Sequence, residues 1–531
     1  MTLGGIMYLN GKVLVGKSED KELCILPQMA NRHGLITGAS GTGKTTTVKV
    51  LAESFSSAGV PVFVADVKGD LGGCAVKGES NEKIGSRIES LKLDEFDFKA
   101  FPVHFWDIYQ KNGHPIRTSI KNVGPQILSM MLGLSETQEG VLSIIFRVAE
   151  DEKYDLVDLK DLRLLLQHVG DNRSEYVTKY GNVTTQSVGV IQRSLLTLED
   201  QGANLFFGEP ELDIQDFMKQ DMNGMGYINI LHAVDLFKNP DLYASFLLWL
   251  LTDLFNNMPE VGDLDKPKIV FFFDEAHLLF NNMPSYRLKQ ITQVVKLIRS
   301  RGIGLYFISQ APTDIPDDVI AQLGNRVQHA LRAYTPAEQK TVKAAASAFR
   351  VNPKINTEKA ILELGTGEAL ISFQNEKGEP EVVERGYILP PQSFMGTIDD
   401  FTRNRMINQD DALIQKYGES IDKESAYEVL SEKMEEKHKL EEEEKARIEE
   451  EKQRILEEKE DKKRRKQEEK EAKEAERLAE KARKEEERKK KEEERERKNN
   501  PVNKIGRKVI TKAENKVINK GLNVIFKKLF K

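Results

Sequence analysis

The sequence predicts an α/β fold, a doubly wound and mostly parallel sheet around a phosphate-binding loop, and three observations predict it. Gly38 to Thr45 completes the pattern G-x-x-x-x-G-K-[ST] between a strand and a helix. Short apolar runs then alternate with helical segments, the pattern of sheet strands covered on both faces. One of these runs, Ile269 to Phe273, delivers two adjacent acids, Asp274 and Glu275.

Residues 1–33 read as a short β segment, with Asn10-Gly11 as a hairpin turn between Met7-Tyr8-Leu9 and Lys12 to Val15. It is too small for a domain of its own. Leu35-Ile36-Thr37 is the buried strand feeding the phosphate loop, Thr46 to Phe55 the helix leaving it, and Pro61 to Asp66 the next buried strand. From about 115 to 208 the periodicity becomes helical (Ile127, Leu128, Met131; Leu159, Leu162, Leu165; Val188 to Leu198), which predicts a helical insertion. Strands return at 226–230, 269–273 and 305–309, separated by helices 241–257 and 286–300, and a small β-rich piece (369–373, 382–388) precedes Pro390-Pro391. The core is expected over 34–393, with a connecting helical segment after it at 394–430.

The formal net charge of −6 conceals three regions. Residues 1–430 carry 44 Lys/Arg against 57 Asp/Glu, 431–500 carry 26 against 27, and 501–531 carry 9 against 1. An acidic body argues against a uniformly basic nucleic-acid surface, although a positive channel inside a ring would not show in the sum. The two cysteines, Cys24 and Cys74, lack metal-ligand spacing, which argues against a disulfide framework and fits a reducing, cytoplasmic setting. No apolar run is long enough to span a bilayer: Leu242 to Phe255 is broken by Ser245, Thr252 and Asp253.

Residues 431–500 suit a solvated single helix with i,i+4 charge pairs; a partial coiled coil stays open, because apolar positions fail between Leu456 and Ala472. Residues 501–531 form a basic amphipathic tail that fits docking on protein, an anionic membrane surface or nucleic acid.

The chemistry predicted for the loop is nucleotide binding. Gly38, Ala39, Ser40, Gly41, Thr42 and Gly43 aim backbone N–H groups at phosphate oxygens, and the helix after them adds its positive end. Lys44 is expected on the β/γ-phosphates, the Thr45 hydroxyl on Mg²⁺, and Thr46 beside them. Asp274 is the second predicted Mg²⁺ ligand and Glu275 the general base for water. Gln310, ending the run 305–309, is a candidate sensor near the γ-phosphate. Asp66 to Asp70, after another strand, should reach the same edge, and His277 reads as structural. A cation delivered late to the transition state is sought among Arg299, Arg301, Arg326 and Arg332, with Arg326 favoured.

Taken together, Asn31 to Thr37, Asp66 to Asp70, Phe273 to His277, Ile308-Ser309-Gln310, Leu323 to His329 and Asp422 to Glu428 resemble the HerA/FtsK branch of P-loop ATPases, closest to the bacterial HerA-like helicase family. The likeness covers about residues 7–430. It implies a RecA-like core, ATP hydrolysis with Mg²⁺ by a homo-hexameric ring, and movement of double-stranded DNA through the pore. Two features of the DNA-pumping relatives, a sizeable N-terminal barrel and a winged-helix DNA reader, find no counterpart in these residues. A motor acting on a protein or membrane-associated complex, and a nucleotide-binding scaffold, remain the alternatives.

Overall fold

Thirteen strands join in one sheet in the computed structural model, which describes residues 5–498 except 20, 282 and 284. In chain order these are β1 (Tyr8–Leu9), β2 (Lys12–Lys17), β3 (Glu22–Ile25), β4 (Gly34–Thr37), β5 (Val62–Asp66), β6 (Val103–Asp107), β7 (His114–Pro115), β8 (Ile228–His232), β9 (Ile269–Phe273), β10 (Ile303–Ser309), β11 (Asn325–Gln328), β12 (Glu368–Ser372) and β13 (Glu384–Ile388). They lie in the order β1-β2-β13-β12-β11-β4-β10-β9-β5-β8-β6-β7, with β3 pairing β2. From β11 to β7 every pairing is parallel. The strands from β1 to β3 and from β12 to β13 add an antiparallel wing.

The N-terminal β segment is therefore part of the main sheet, joined through Tyr387↔Lys17 on β13 and β2. The strands β3, β6, β7 and β11 are absent from the sequence reading, and two of them show why. β6 was hidden because Val103-His104-Phe105-Trp106-Asp107 is short and carries a histidine. β11 was hidden because Asn325, Arg326 and Gln328 make it polar, and buried amides satisfy it: Asn325 Nδ2 donates to the Met29 and His33 carbonyls at 3.0 and 3.1 Å.

Side-chain alternation along the buried strands separates two cores. Leu35, Phe63, Phe271, Phe273 and Phe307 face one side, Ile36, Val64, Val270, Phe272 and Ile308 the other. The second face is covered by α1 (Lys44–Ser57), whose Val48, Leu51 and Phe55 join that core. Helix α2 (Glu82–Ser90) comes next in the chain. The first face is covered by α3 (Ile120–Met131), α4 (Glu136–Glu152), α5 (Leu159–Asp171), α6 (Arg173–Tyr180) and α7 (Thr185–Asp200), with α8 (Pro240–Asn257) and α9 (Ser285–Ile298). Fully burying one such aromatic or leucine contributes roughly 2–3 kcal/mol. A smaller core lies between α11 (Pro336–Ser347), which comes after the one-turn α10 (Asp317–Ile320), and α12 (Thr357–Glu363).

Residues 394–430 are integral to this unit, which extends to Met434. Leu413 and Tyr417 of α14 (Asp411–Tyr417), the helix after α13 (Asp400–Ile407), are buried in the first core, and the Arg117 guanidinium donates to the Tyr417 carbonyl at 2.7 Å. The strap 390–393 is fixed to α1 by the fully buried Glu53, whose carboxylate accepts the Gln392 and Ser393 N–H groups at 2.7 and 3.2 Å. Helix α15 (Ala426–Lys498) begins in this unit.

The second unit begins at Glu435. Its described residues continue α15 as one helix of roughly 95 Å at 1.5 Å per residue. Pairs such as Lys473–Glu469 and Lys484–Glu480, both 2.8 Å, line it, and Leu440, Ile455, Leu456 and Leu478 are exposed. Each pair contributes only about 0.3–0.5 kcal/mol. The basic tail 501–531 lies outside the described residues. No described helix is long and apolar enough to cross a membrane.

Candidate active site

Register alone gathers the predicted residues at one edge. Ser309 pairs with Thr37, Phe307 with Phe273, and Val64 with Phe272. The strands β4, β10, β9 and β5 thus end side by side, and they lead respectively into the phosphate loop, Gln310, Asp274-Glu275 and the 67–70 turn. The strand β10 lies between the phosphate-loop strand and the Asp274 strand, so Gln310 is flanked by both motifs. Gln310 is exposed. The turn beyond it is held by Asp314, which accepts from Ser309 Oγ at 2.6 Å and Ala311 N–H at 2.8 Å.

The phosphate loop is braced from outside. Ala39 N–H donates to the Ala330 carbonyl at 2.9 Å, and Gly367 N–H to the Thr42 carbonyl at 3.0 Å. Thr42 Oγ1 closes the loop on the Ala39 carbonyl at 2.7 Å. Glycine is required at 38, where φ is +156° and a Cβ would stand 2.5 Å from that of His329, and at 43, where φ is +114°. Lys44 Nζ lies across the loop, donating to the Gly38 and Ala39 carbonyls at 2.6 and 3.2 Å. Burial, then the neighbouring Lys68, lowers the Lys44 pKa, partly opposed by Asp274 and Glu275. Ser40 and Gly41 are exposed, and Thr45 and Thr46 are half-buried at the start of α1.

His329 is a support that sequence reasoning missed. Its Nε2 is 2.8 Å from Thr47 Oγ1, on the first turn of α1, and its Nδ1 is 2.9 Å from the Glu368 carbonyl. A carbonyl only accepts, so Nδ1 carries the proton and Nε2 accepts from Thr47. Burial pushes its pKa down to about 4, and Lys44 adds to this. The available signal was its place two residues after Val327, at the end of a strand adjoining the loop. His33 plays a parallel part before β4: Nδ1 accepts the Leu305 N–H at 3.1 Å and Nε2 donates to the Val295 carbonyl at 2.8 Å.

Asp274 and Glu275 leave β9 in a tight turn. Glu275 N–H donates to Asp274 Oδ1 at 2.9 Å and the buried Tyr243 hydroxyl to the Asp274 carbonyl at 2.8 Å. Burial pushes the Asp274 pKa up to about 6; Glu275 adds to the rise, while Lys68 and Lys44 oppose it. A desolvated carboxylate facing two cations, with the Thr45 hydroxyl at the neighbouring helix start, is a donor set that fits a hard divalent cation. Among the described residues no cluster of three or more His, Cys, Asp or Glu forms a separate metal site.

Asp66 is the turn-builder of the 66–70 segment. Its buried carboxylate accepts the N–H groups of Lys68, Gly69, Asp70 and Leu71 at 3.2, 2.7, 3.3 and 2.9 Å. The turn presents Lys68, exposed, toward Asp274 and Lys44.

The favoured arginine, Arg326, makes three hydrogen bonds within its own chain, to the carbonyls of Leu323, Ala348 and Ile320. Arg299 pairs with Asp263 at 3.7 Å, and Arg301 donates to the Met258 carbonyl and lies over Phe255, both before β10 at the opposite edge. Arg332 is exposed, two residues beyond the Ala330 that braces the loop.

A groove of about 1990 Å³ opens beside Thr46 and Gly367. Tyr387 and Arg87 line it, the guanidinium 4.4 Å from the ring centroid.

A family model described as "Helicase HerA-like C-terminal" matches residues 12–523. The DNA double-strand break repair helicase HerA of Sulfurisphaera tokodaii is 20% identical over 377 residues, 69% of this chain and 67% of that protein. A probable helicase of Methanocaldococcus jannaschii is 24% identical over 374 residues, 69% and 65% of the two chains. This chain thus spans about two thirds of the length of these curated relatives. Among solved structures, plasmid coupling protein TrwB in complex with a non-hydrolysable ATP analogue has a TM-score of 0.48 at 14% identity, covering 72% of this chain and 92% of that one. VirB4 of Thermoanaerobacter pseudethanolicus has a TM-score of 0.46 at 15% identity, covering 71% and 96%. With its phosphate loop and its Asp274-Glu275 pair on one sheet edge, the chain belongs to the HerA-like helicase C-terminal family and is an ATP hydrolase of the P-loop class.

Proposed function

We propose that this protein is a Mg²⁺-dependent ATP-driven motor that assembles as a homo-hexameric ring and moves double-stranded DNA. The observation that carries the ATPase part is the convergence of Lys44, Thr45, Asp274 and Glu275 on one edge, with Gln310 between the two motifs. The DNA part is supported by the relatives, two of which are named as DNA double-strand break repair helicases.

In this reading Lys44 exchanges its two loop carbonyls for the β- and γ-phosphate oxygens, a gain for an ammonium that burial has already desolvated. Thr45 and Asp274 would hold Mg²⁺, which when bound neutralises charge developing on the phosphates. Glu275 takes the proton of the attacking water, and Gln310 orients that water. Lys68 stands as a further cation on the phosphate side. Arg332 replaces Arg326 as the arginine offered to phosphate. The nucleoside leaves over Thr46 into the groove lined by Tyr387.

The test is ATP turnover by the full chain with and without linear double-stranded DNA, together with its mass in solution. Stimulation by DNA in a hexamer is expected. An active hexamer indifferent to every DNA form would refute the DNA reading and favour a protein substrate, for which the acidic charge of residues 1–430 is the supporting observation.

A further inference from the structure

The proposed general base, Glu275, has its backbone fixed and its carboxylate beside one polar neighbour, His277. It sits at φ +49° and ψ +44°, a left-handed conformation that costs an L-residue roughly 1–2 kcal/mol. Three hydrogen bonds maintain it: Glu275 N–H to Asp274 Oδ1, Tyr243 Oη–H to the Asp274 carbonyl, and Leu278 N–H to the Glu275 carbonyl at 3.0 Å. Strain that is so fully braced marks a site where direction matters.

The side chain is 13% exposed. Its Oε2 is buried without a hydrogen bond among the described residues, and so is Nδ1 of His277. These two atoms face each other at 3.4 Å. An unsatisfied buried polar atom is costly, and two that stand 3.4 Å apart without the alignment of a hydrogen bond relieve each other by a small reorientation. The imidazole in its Nδ1–H form donates to Oε2 and leaves Oε1 as the oxygen free to meet water.

We infer that His277 is a positioning residue for Glu275: it anchors Oε2 so that Oε1 points at the water to be activated. A base oriented by a third group is the logic of catalytic triads, here built from near neighbours within Asp274-Glu275-Ala276-His277. The inference rests on the ATPase reading of Glu275 and revises the structural role that the sequence suggested for His277.

The experiment is steady-state ATP turnover by the full chain in His277→Ala, His277→Asn, His277→Gln, Glu275→Gln and the double variant His277→Ala/Glu275→Gln, with urea unfolding of each. His277→Ala is expected to lower kcat about tenfold or more with KM within about twofold, since orientation and not binding is lost. His277→Asn places an amide N–H near the position of Nδ1 and should recover most of the rate; His277→Gln, whose amide reaches the position of Nε2, should not. In the Glu275→Gln background His277→Ala should add no further loss. Unchanged kcat in His277→Ala, an equal loss in both backgrounds, or equal rates for the Asn and Gln variants would overturn the inference. If His277→Ala fails to fold, the Asn and Gln variants decide alone. Failure of the motor reading is separate: DNA would leave wild-type turnover unchanged while the His277 pattern persisted.

Discussion

Replacing His329 by asparagine should flatten the acid side of the stability curve by an amount that can be calculated. The folded-state pKa of about 4 lies below the ordinary histidine value of about 6.5, because the ring is fully buried between Thr47 and the Glu368 carbonyl. The native state therefore binds fewer protons than the unfolded chain below about pH 6.5. The stability from keeping His329 neutral is complete above that pH and is lost as pH falls toward 4. Integrating between pH 8 and pH 5 gives about 2 kcal/mol for this one ring.

His33 and His114, also pushed down to about 4 by burial, contribute in the same direction, whereas the raised pKa values of Glu53, Asp66 and Asp274 act in the opposite one. The informative quantity is the difference between two proteins. Urea unfolding of wild type and His329→Asn, monitored by fluorescence of the buried Trp106 and Trp249, should show wild type losing about 2 kcal/mol more than the variant from pH 8 to pH 5. The variant itself will be weaker at pH 8, since the imidazole volume is lost. Equal losses in the two proteins would refute the reasoning, and with it the role of His329 as a neutral strut beneath the phosphate loop.

The site carries three further expected outcomes. Arg332→Ala should lower ATP turnover and leave the urea midpoint unchanged, while Arg326→Ala, which strands three carbonyls, should cost about 2 kcal/mol of stability by urea unfolding and change turnover little. Tyr387→Ala should weaken ATP binding about tenfold and leave inorganic tripolyphosphate binding unchanged in calorimetric titrations, because the ring lines the groove proposed for the nucleoside. Lys44→Ala should weaken both ligands, since it removes the cation from the phosphate loop itself.

The part of the site that phosphate chemistry fixes was legible in the sequence. The spacing from Gly38 to Thr45 and the adjacency of Asp274 and Glu275 are demands of the reaction, and the sheet brings them together because β4, β10, β9 and β5 are buried parallel strands with continuous apolar runs. The supporting residues were not legible, because their roles are tertiary. His329 and Thr47 are 282 positions apart, and nothing local marks either as the other's partner. Arg326 looked available because arginine beside a strand end is a fair candidate for phosphate; its three carbonyl acceptors come from a loop and helix ends that only the fold places around it. Lys68 escaped emphasis because its presentation depends on the buried Asp66 carboxylate gathering four N–H groups. The charged arm follows its composition in the described residues: α15 is one helix lined by charge pairs such as Lys473–Glu469 and Lys484–Glu480.

Hydrolysis by the Asp274-Glu275 edge is the claim on which the rest depends, and ATP turnover by Glu275→Gln beside wild type tests it most directly. The expected result is that Glu275→Gln binds ATP with Mg²⁺ at wild-type affinity and turns it over at least about 100-fold more slowly, the loss of a general base. Turnover by Glu275→Gln at the wild-type rate would contradict it.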